Sequence, residues 1–328
     1  MGSLCKFGKA LTIGNITKDS IIDKEGNKLS GCGGTLYASV AAKRLSYDSY
    51  LVTKNGSVSE HSHGDETISC IIDLKNEGIK CYWEPSKHTT SFVNDYSSGV
   101  RIQRLLDSTD VITYPPAARD SDFGEFDVIL LNPLFHEITP ETAKLARKDC
   151  SKDGLVALDV QGLVRKVEYP SKKVSIAFWE DREEYLRYVD VLKIGLQEIK
   201  GVSRFKRHKD ICEELYSLGP SMKAIALTFG QDGSVVYDCE NNELHKIPAL
   251  KVRVVDETGA GDLYGMALTT RLYENKRKEA LDVDKVLDAG IFATAEASFA
   301  VEGVGISKIP KREEVEERYE ILKRELLK

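Results

Sequence analysis

The chain lacks several features that would assign it at once to a functional class. Its 328 residues carry a net charge of −6, so no basic surplus indicates binding to nucleic acid or to an anionic membrane. No apolar run approaches the ~20 residues of a membrane-spanning helix, and the first residues lack the apolar core of a signal peptide. Prolines are few, and no repeat or low-complexity stretch marks a linker. We expect a cytoplasmic globular protein without membrane or nucleic-acid partners.

The cysteine pattern indicates neither a disulfide framework nor a zinc site. The seven cysteines are scattered, odd in number and free of any Cys-x-x-Cys pair. We interpret them as reduced thiols. The stretch 61–65 contains two histidines and an aspartate, but we interpret it as a polar loop rather than a metal cluster.

A turn of small residues near residue 260 separates an apolar run from a helical pattern. The β-branched run 251–255 predicts a strand, and Gly259, Ala260 and Gly261 lie where the next helix would begin. Glycine has no Cβ, so its N–H group can approach a ligand closely. Unpaired N–H groups and the helix dipole favour an anion at such a position. The three N–H groups are therefore candidates for a phosphate-binding hole.

Asp262 lies in the first turn of this predicted helix. A carboxylate beside a bound phosphate repels it, so the residue needs another role, and accepting a proton from an attacking hydroxyl is the obvious one. The alternative is a packing turn with an aspartate that favours the helix dipole. No Gly-Lys-Ser/Thr follows, which excludes a Walker loop, and no glycine lies three residues after Gly261, which excludes the dinucleotide fingerprint.

Apolar strands alternate with helical patterns over most of the chain. The predicted strands are 9–16, 51–54, 79–82, 128–131, 155–159, 189–193 and 224–228. This alternation predicts a parallel sheet covered on both faces. Ligands bind such sheets beyond the carboxyl ends of the strands. The residues that follow those ends are therefore site candidates: Asp159, Gln161, Lys193, Glu198, Thr228 and Gly230.

Two stretches depart from this rhythm. Residues 15–34 contain a predicted hairpin, and residues 88–113 are β-rich and include a predicted strand at 110–113. Together they predict a small second sheet. We interpret Arg101 and Arg104 within it as basic protection of an exposed strand edge. The alternative is that they contact a substrate or the transferring phosphate.

The sequence Asp256-Glu257-Thr258-Gly259-Ala260-Gly261-Asp262 resembles the signature of the ribokinase-like (PfkB) family of sugar and nucleoside kinases. The resemblance implies one α/β domain over residues 1–328, with a mostly parallel central sheet flanked by helices. The second sheet, formed by about residues 15–34 and 88–113, would then be a lid that excludes water. It also implies an ATP- and Mg²⁺-dependent kinase, leaves open a monovalent cation, and leads us to expect a homodimer formed by paired lids.

Further residues match the family at its acceptor site. Asp19 corresponds to an aspartate that holds substrate hydroxyls, and a carboxylate accepts two hydroxyl donors well. Gly33 and Gly34 resemble the family's Gly-Gly pair, where the backbone passes close to the substrate. The sugar-binding asparagine of many members is replaced by Ala38, so Tyr37 or Ser39 is expected to supply contacts in its place.

The donor side is matched less completely. Thr228-x-Gly230-x-x-Gly233 resembles the family's nucleotide-binding loop, to which we add Thr258 of the signature. Where the family carries Asn-x-x-Glu, only Glu198 remains, with Gly195 at the asparagine position. Glu198 would act on Mg²⁺ through water, and this loss is tolerable because Mg²⁺ uses few protein ligands.

One segment bears on the substrate. Asp159-Val160-Gln161-Gly162-Leu163-Val164-Arg165 is similar to the branch that contains archaeal and plant myo-inositol kinases, which makes Gln161 and Arg165 substrate-binding candidates. We therefore expect a small sugar or polyol as substrate, with myo-inositol first. The alternatives are ribose, fructose or 2-keto-3-deoxygluconate, a nucleoside, and a non-catalytic sugar sensor, which would be expected to have lost Asp262.

Overall fold

The computed structural model describes residues 6–56, 66–278 and 284–327. The predicted polar loop at 61–65 lies outside these ranges. Most of the described chain is built around one large mixed sheet and a smaller second sheet.

The large sheet has nine strands in the described chain. In spatial order they are β15 (Glu243–Ile247), β14 (Ser234–Asp238), β13 (Ala224–Thr228), β12 (Val191–Gly195), β9 (Cys150–Asp159), β8 (Phe126–Leu131), β1 (Lys9–Ile13), β4 (Asp48–Gly56) and β5 (Lys80–Ser86). From β13 to β5 every neighbouring pair is parallel, whereas β14 and β15 are antiparallel additions at one edge. The expected parallel sheet is therefore present.

Helices cover both faces of this sheet. They are α1 (Leu36–Arg44), α2 (Glu66–Asn76), α3 (Pro140–Asp149), α4 (Arg182–Leu186), α5 (Ile199–Val202), α6 (His208–Leu218), α7 (Ala260–Lys276), α8 (Lys285–Ala300) and α9 (Arg312–Leu326). In β8, Val128 and Leu130 pack into the core with α1, α7 and α8, while Ile129 and Leu131 pack into the opposite core with α3 and α6. Successive strand residues face opposite sides, so a sheet buried on both faces needs continuous apolar runs.

The second sheet contains more of the chain than the sequence predicted. Its order is β10 (Arg165–Glu168), β11 (Lys173–Ile176), β7 (Ile102–Asp107), β6 (Ser91–Asp95), β2 (Ile16–Ile22) and β3 (Lys28–Gly34). The hairpin of β10 and β11 was not predicted, although its two short strands flank a turn that contains Pro170. The sheet therefore extends beyond residues 15–34 and 88–113.

Two predicted strands are wrong. The run 251–255 forms no strand, and Val254 and Val255 are both 54% exposed. The backbone N–H of Val255 donates to the Val301 carbonyl, and no strand of the described chain pairs with the run. Residues with high β propensity form no sheet when a neighbouring strand is missing. Residues 110–113 also lie outside any strand, because β7 ends at Asp107 and the chain is then held by Lys54, which donates to the Asp110 carboxylate and the Val111 carbonyl.

The interpretation of all cysteines as reduced thiols is also wrong. Cys32 of β3 and Cys70 of α2 form a disulfide that joins the second sheet to a helix beside the large sheet. The two residues are separated by 38 positions. Their pairing depends on tertiary contacts, which is why spacing in the sequence did not reveal it.

Among the described residues, no helix combines the length and the apolar composition that crossing a membrane requires.

Candidate active site

The carboxyl ends of the central strands bring the predicted site residues to one edge of the large sheet. Residues that follow β8, β9, β12 and β13 are neighbours there because these strands are parallel and in register. Lys193 pairs with Asp159 in the ladder, and Gly195 pairs with Thr228. The start of α7 lies at the same edge, since the Asp262 carboxylate contacts Asn132 just beyond β8.

The start of α7 has the geometry of an anion-binding hole. Gly259 is the N-cap with φ 85°, in the left-handed region that favours glycine. Within the described chain, the N–H groups of Gly259 and Gly261 have no hydrogen-bond partner, whereas the N–H of Ala260 donates to the Glu257 carbonyl over 3.4 Å. Two of the three predicted donors are therefore free, and the third is held weakly.

Asp262 is positioned by a residue that the sequence analysis did not select. The Asn132 amide donates from Nδ2 to Asp262 Oδ1 over 2.6 Å, and Asn132 itself is fully buried. Burial raises the pKa of Asp262 to about 6, against the lowering effect of the Asn132 hydrogen bond; Asp159 adds to the rise and Lys193 opposes it. The carboxylate is thus ionised at neutral pH and still close to its titration range, as a general base requires.

A buried ion pair lies beside the hole. Lys193 Nζ is 2.9 Å from Asp159 Oδ2, and both side chains are almost completely buried. The same Nζ lies 2.7 Å from the point that a Cβ on Gly261 would occupy, so the ammonium group is next to the free N–H. Burial opposes the charge of Lys193, but Asp159 and Glu198 outweigh it and raise the pKa. An ammonium group paired with Asp159 therefore lies beside the hole.

Asp19 faces the site from β2 of the second sheet. Its Oδ1 atom is buried and has no hydrogen-bond partner in the described ranges, while Oδ2 lies close to Gly33 on β3. Burial raises the pKa of Asp19 to about 6, although the Thr17 hydroxyl and two arginines oppose this rise. Gly34 has φ 73°, and a Cβ there would be 2.3 Å from the Asn15 carbonyl oxygen. The predicted acceptor residues are adjacent, and one carboxylate oxygen is free for a ligand.

Of the two residues expected to replace the missing asparagine, only Tyr37 is oriented toward the site. Its ring lies against the helix start, 2.3 Å from where a Cβ on Gly259 would be. Burial raises the pKa of Tyr37, and the charges of Asp256, Asp262 and Asp19 add to the rise. Ser39 is fully buried and donates its hydroxyl to the Thr35 carbonyl within α1, so it is not available to a substrate.

Gln161 and Arg165, the two substrate-binding candidates of the segment 159–165, are held in different ways. The Arg165 guanidinium is buried, donates to the Leu134 carbonyl over 3.0 Å and lies 5.2 Å from the Phe92 ring centre. It lowers the pKa of Asp19 electrostatically and is thus near the acceptor side. The backbone N–H of Gln161 donates to the Asp159 carboxylate over 3.0 Å.

Arg101 was misinterpreted as edge protection. It directly precedes β7, which lies between β6 and β11 and is therefore an interior strand. The guanidinium donates twice to Asn94 Oδ1 and lowers the pKa of Asp19 electrostatically. Arg104, by contrast, forms an ion pair with Asp95 at 3.4 Å.

The predicted nucleotide residues form a turn after β13 and a second turn before α7. Phe229 N donates to the Gly233 carbonyl over 2.8 Å, which closes the turn that contains Gly230. Gly233 packs against the Ile247 carbonyl of β15, so it shapes this turn. Thr258 donates both its N–H and its hydroxyl to Asp256 Oδ1.

The residues at the predicted metal position fit a weakly held Mg²⁺. Glu198 lines an open cleft. Within the described ranges, its carboxylate has no Lys, Arg or His nitrogen within salt-bridge distance. One Glu198 oxygen lies 2.1 Å from where a Cβ on Gly195 would be, so glycine at this position permits the carboxylate to fold back on the loop. One carboxylate beside a phosphate site suits an ion that keeps most of its water.

The chain is similar in sequence to a family of carbohydrate kinases and to known members of it. The family model described as "pfkB family carbohydrate kinase" matches residues 107–312. A probable chloroplastic fructokinase-6 of Arabidopsis thaliana is 24% identical over 319 residues, which cover 91% of this chain and 77% of the relative.

Solved structures show the same fold. A pyrophosphate-dependent kinase of the ribokinase family, complexed with a pyrophosphate analog and myo-inositol, superimposes with a TM-score of 0.74 at 23% identity, over 94% of this chain and 99% of that one. The Arabidopsis thaliana ribokinase complexed with ribose and ATP superimposes with a TM-score of 0.68 at 20% identity, over 95% and 98%. The fold is therefore ribokinase-like.

Proposed function

The chain belongs to the pfkB family of carbohydrate kinases, and from that membership we propose that it transfers the γ-phosphoryl group of ATP to a hydroxyl of a small sugar or polyol. Myo-inositol is the first candidate for the acceptor. The observation that carries the proposal is the contact of Asn132 with Asp262 beside the free N–H groups of Gly259 and Gly261.

The residues at the start of α7 supply the transfer chemistry. Asp262 takes the proton of the attacking hydroxyl through the carboxylate oxygen that Asn132 leaves free. The N–H groups of Gly259 and Gly261 stabilise negative charge on the phosphoryl oxygens. Lys193 adds a positive charge beside them, and it stays protonated because Asp159 and Glu198 raise its pKa.

The acceptor is held between the second sheet and α7. The free Oδ1 of Asp19 accepts a substrate hydroxyl, while the backbone at Gly33 and Gly34 passes close to the substrate. Gln161 and Arg165 complete the acceptor side. The segment from Asp159 to Arg165 favours myo-inositol, as does the ligand bound to the pyrophosphate-dependent relative. Ribose, fructose, 2-keto-3-deoxygluconate and a nucleoside remain alternatives.

ATP is proposed as the donor because an Arabidopsis thaliana ribokinase of the same fold binds it. Thr228, Gly230 and Gly233, together with Thr258, are assigned to the nucleotide. Glu198 is assigned to Mg²⁺ through water, and the bound ion would neutralise charge on the phosphates. The family resemblance leaves open a monovalent cation as well, and we propose no ligands for it.

The second sheet is proposed to act as a lid on a single domain that spans residues 1–328. It carries Asp19, so closure over the acceptor would exclude water while the base is engaged. In the described chain the order of this sheet ends at β3 and at β10, and the end strands of a sheet are where a second chain can pair. Pairing of two lids in a homodimer would cover them, and the proposed location is the cytoplasm.

A coupled ADP-release assay with Mg·ATP tests the function directly. The panel contains myo-inositol, ribose, fructose, 2-keto-3-deoxygluconate, adenosine and cytidine. Turnover of myo-inositol well above the others is the expected result. Preference for a nucleoside would overturn the acceptor assignment and leave Asp262 as the base. If no compound is turned over while ATP still binds, the alternative of a non-catalytic sugar sensor replaces the kinase proposal.

A further inference from the structure

Three side chains that can ligate a metal meet where α8 begins beside the edge hairpin of the large sheet. They are Asp238 at the end of β14, His245 on β15 and Asp284, which is the N-cap of α8. One ligand atom from each residue lies within 4.8 Å of the other two. An imidazole grouped with two carboxylates is a ligand set that divalent transition metals use in proteins.

The strand register directs all three side chains to one place. Val236 is the cross-strand partner of His245 and packs into the core with α8, so His245 faces the same side. Asp238 lies two positions beyond Val236 and therefore also faces α8. A Cβ on Gly290 of α8 would lie 2.9 Å from Val236 Cγ2, so glycine at this position lets the helix approach the hairpin closely. The helix start is thereby brought to the two hairpin residues.

The His245 imidazole has a nitrogen without a partner in this cluster. Its Nε2 atom is buried and forms no hydrogen bond within the described chain. The atom lies 3.3 Å from Asp284 Oδ1, which is close enough for an ion pair, but the two are not oriented as a hydrogen bond. Two ligand atoms on a tetrahedral ion with bonds of about 2.0–2.2 Å are about 3.3–3.6 Å apart. The separation and the missing hydrogen bond both fit two ligands of one ion.

Both carboxylates are held in fixed orientations. The buried Asp238 accepts hydrogen bonds from two backbone N–H groups of the turn after β14 and from the Asn241 amide. Asp284 Oδ1 accepts from two N–H groups in the first turn of α8. Hydrogen bonds of this kind orient the ligands of a metal site. Among the described residues, neither carboxylate has a lysine or arginine nitrogen within salt-bridge distance, so the negative charge of the cluster is available to a cation.

We propose that Asp238, His245 and Asp284 bind a divalent transition-metal cation, with Zn²⁺ as the ion and water completing its coordination. A ligand set that contains an imidazole favours Zn²⁺ over Mg²⁺ and Ca²⁺, which prefer oxygen ligands alone. The neighbouring Cys239 is excluded as a ligand, since burial raises the pKa of its thiol and only the thiolate binds a metal well.

The ion would stabilise the fold and take no part in phosphoryl transfer. Asp238 pairs with Ala224 at the start of β13, whereas Thr228, which is assigned to the nucleotide, lies at the other end of that strand. The bound ion would join the β14–β15 hairpin to the start of α8, and an ion that binds only the folded chain raises its stability. The proposal is independent of the proposed function.

The test is isothermal titration calorimetry with ZnCl₂ and, separately, MgCl₂ on the full chain after removal of metals with a chelator. Two variants alter the site. His245→Gln removes the imidazole, and Asp284→Asn removes a charge while it keeps a residue that caps helices well. Two variants are controls. His88→Gln removes an imidazole that also lies near a carboxylate, 3.8 Å from Asp107 Oδ1, and Cys239→Ala removes the neighbouring thiol.

The unaltered chain is expected to bind one Zn²⁺ per chain at this site and to bind it more tightly than Mg²⁺. Each site variant should weaken zinc binding at least about tenfold, and both controls should keep the original affinity. Absence of zinc binding, unchanged binding by the site variants, an equal loss in either control, or equal affinity for Mg²⁺ would overturn the proposal.

Thermal unfolding with and without ZnCl₂ gives a second measurement for each variant. Zinc should raise the Tm of the unaltered chain and of both controls, and this rise should be absent in the two site variants. Because each variant is compared with its own zinc-free sample, a loss of intrinsic stability in His245→Gln does not obscure the result. Neither measurement depends on turnover, so failure of the kinase assay would leave this site standing.

Discussion

Replacing Asn132 by alanine should shift the pH dependence of turnover. The Asn132 amide donates to Asp262 Oδ1 over 2.6 Å and lowers a carboxyl pKa that burial has raised to about 6. A hydrogen bond to a charged group contributes roughly 1.5–3 kcal/mol, and one pKa unit corresponds to about 1.4 kcal/mol. Loss of this bond should therefore raise the pKa of Asp262 by about one to two units.

The direction of the effect follows from the role of the base. Asp262 accepts a proton only when it is ionised, so activity is lost as the pH falls through its pKa. The acid limb of kcat/KM should have its midpoint at about 6 in the unaltered enzyme and at about 7–8 in the Asn132→Ala variant. Steady-state rates between about pH 5 and 9 with saturating Mg·ATP measure this shift.

Asn15→Ala provides the matched control. Asn15 is also a fully buried asparagine, but its amide donates to Thr90 and Thr109 instead of Asp262. This variant should lose stability and keep an acid limb at about 6. If Asn132→Ala lowers the plateau and leaves the limb at its original midpoint, the reasoning about Asp262 is refuted.

Three further predictions concern the base, a backbone turn and the disulfide. Asp262→Asn should leave ATP binding intact and cut turnover by a factor on the order of 10² or more; normal turnover would remove Asp262 from the role of base. Gly34→Ala places a Cβ at φ 73° and 2.3 Å from a carbonyl oxygen, whereas Gly26, at φ 86°, has open space around it. In urea unfolding, Gly34→Ala should therefore cost roughly 1–3 kcal/mol more than Gly26→Ala, and equal costs would contradict the close contact. Reducing the Cys32–Cys70 bond, which spans 38 positions, should lower the free energy of unfolding by about 4 kcal/mol and expose two additional thiols to titration. A Cys32→Ser variant should not respond to the reductant, and an unchanged thiol count in the native sequence would refute the bridge.

Much of the large sheet could be predicted because its signals are local. Apolar runs such as 128–131 must be strands buried on both faces, and the small residues before Asp262 permit a helix start with free N–H groups. The same local reasoning failed for 251–255. A β-branched run has a strand conformation available to it, but a strand in a sheet also needs a partner, and none lies beside this run in the described chain.

Contacts between distant residues could not be predicted in the same way. Asn132 and Asp262 are 130 positions apart, and nothing near Asn132 in the sequence indicates which side chain it meets. Arg101 was assigned to an exposed edge because the hairpin that covers β7, with β11 as its inner strand, had not been recognised. Its relation to Asp19 depends on that neighbouring strand.

The amino-acid sequence by itself determined the alternation of strands and helices, the helix start at Gly259 and the presence of a carboxylate in its first turn. These features depend on the conformational preferences of neighbouring residues and on the chemistry of single side chains. Only the tertiary structure decided which amide fixes Asp262, which cysteines pair and which strand covers β7. Each of these depends on elements that meet across the fold, and burial then sets the strength of the interaction.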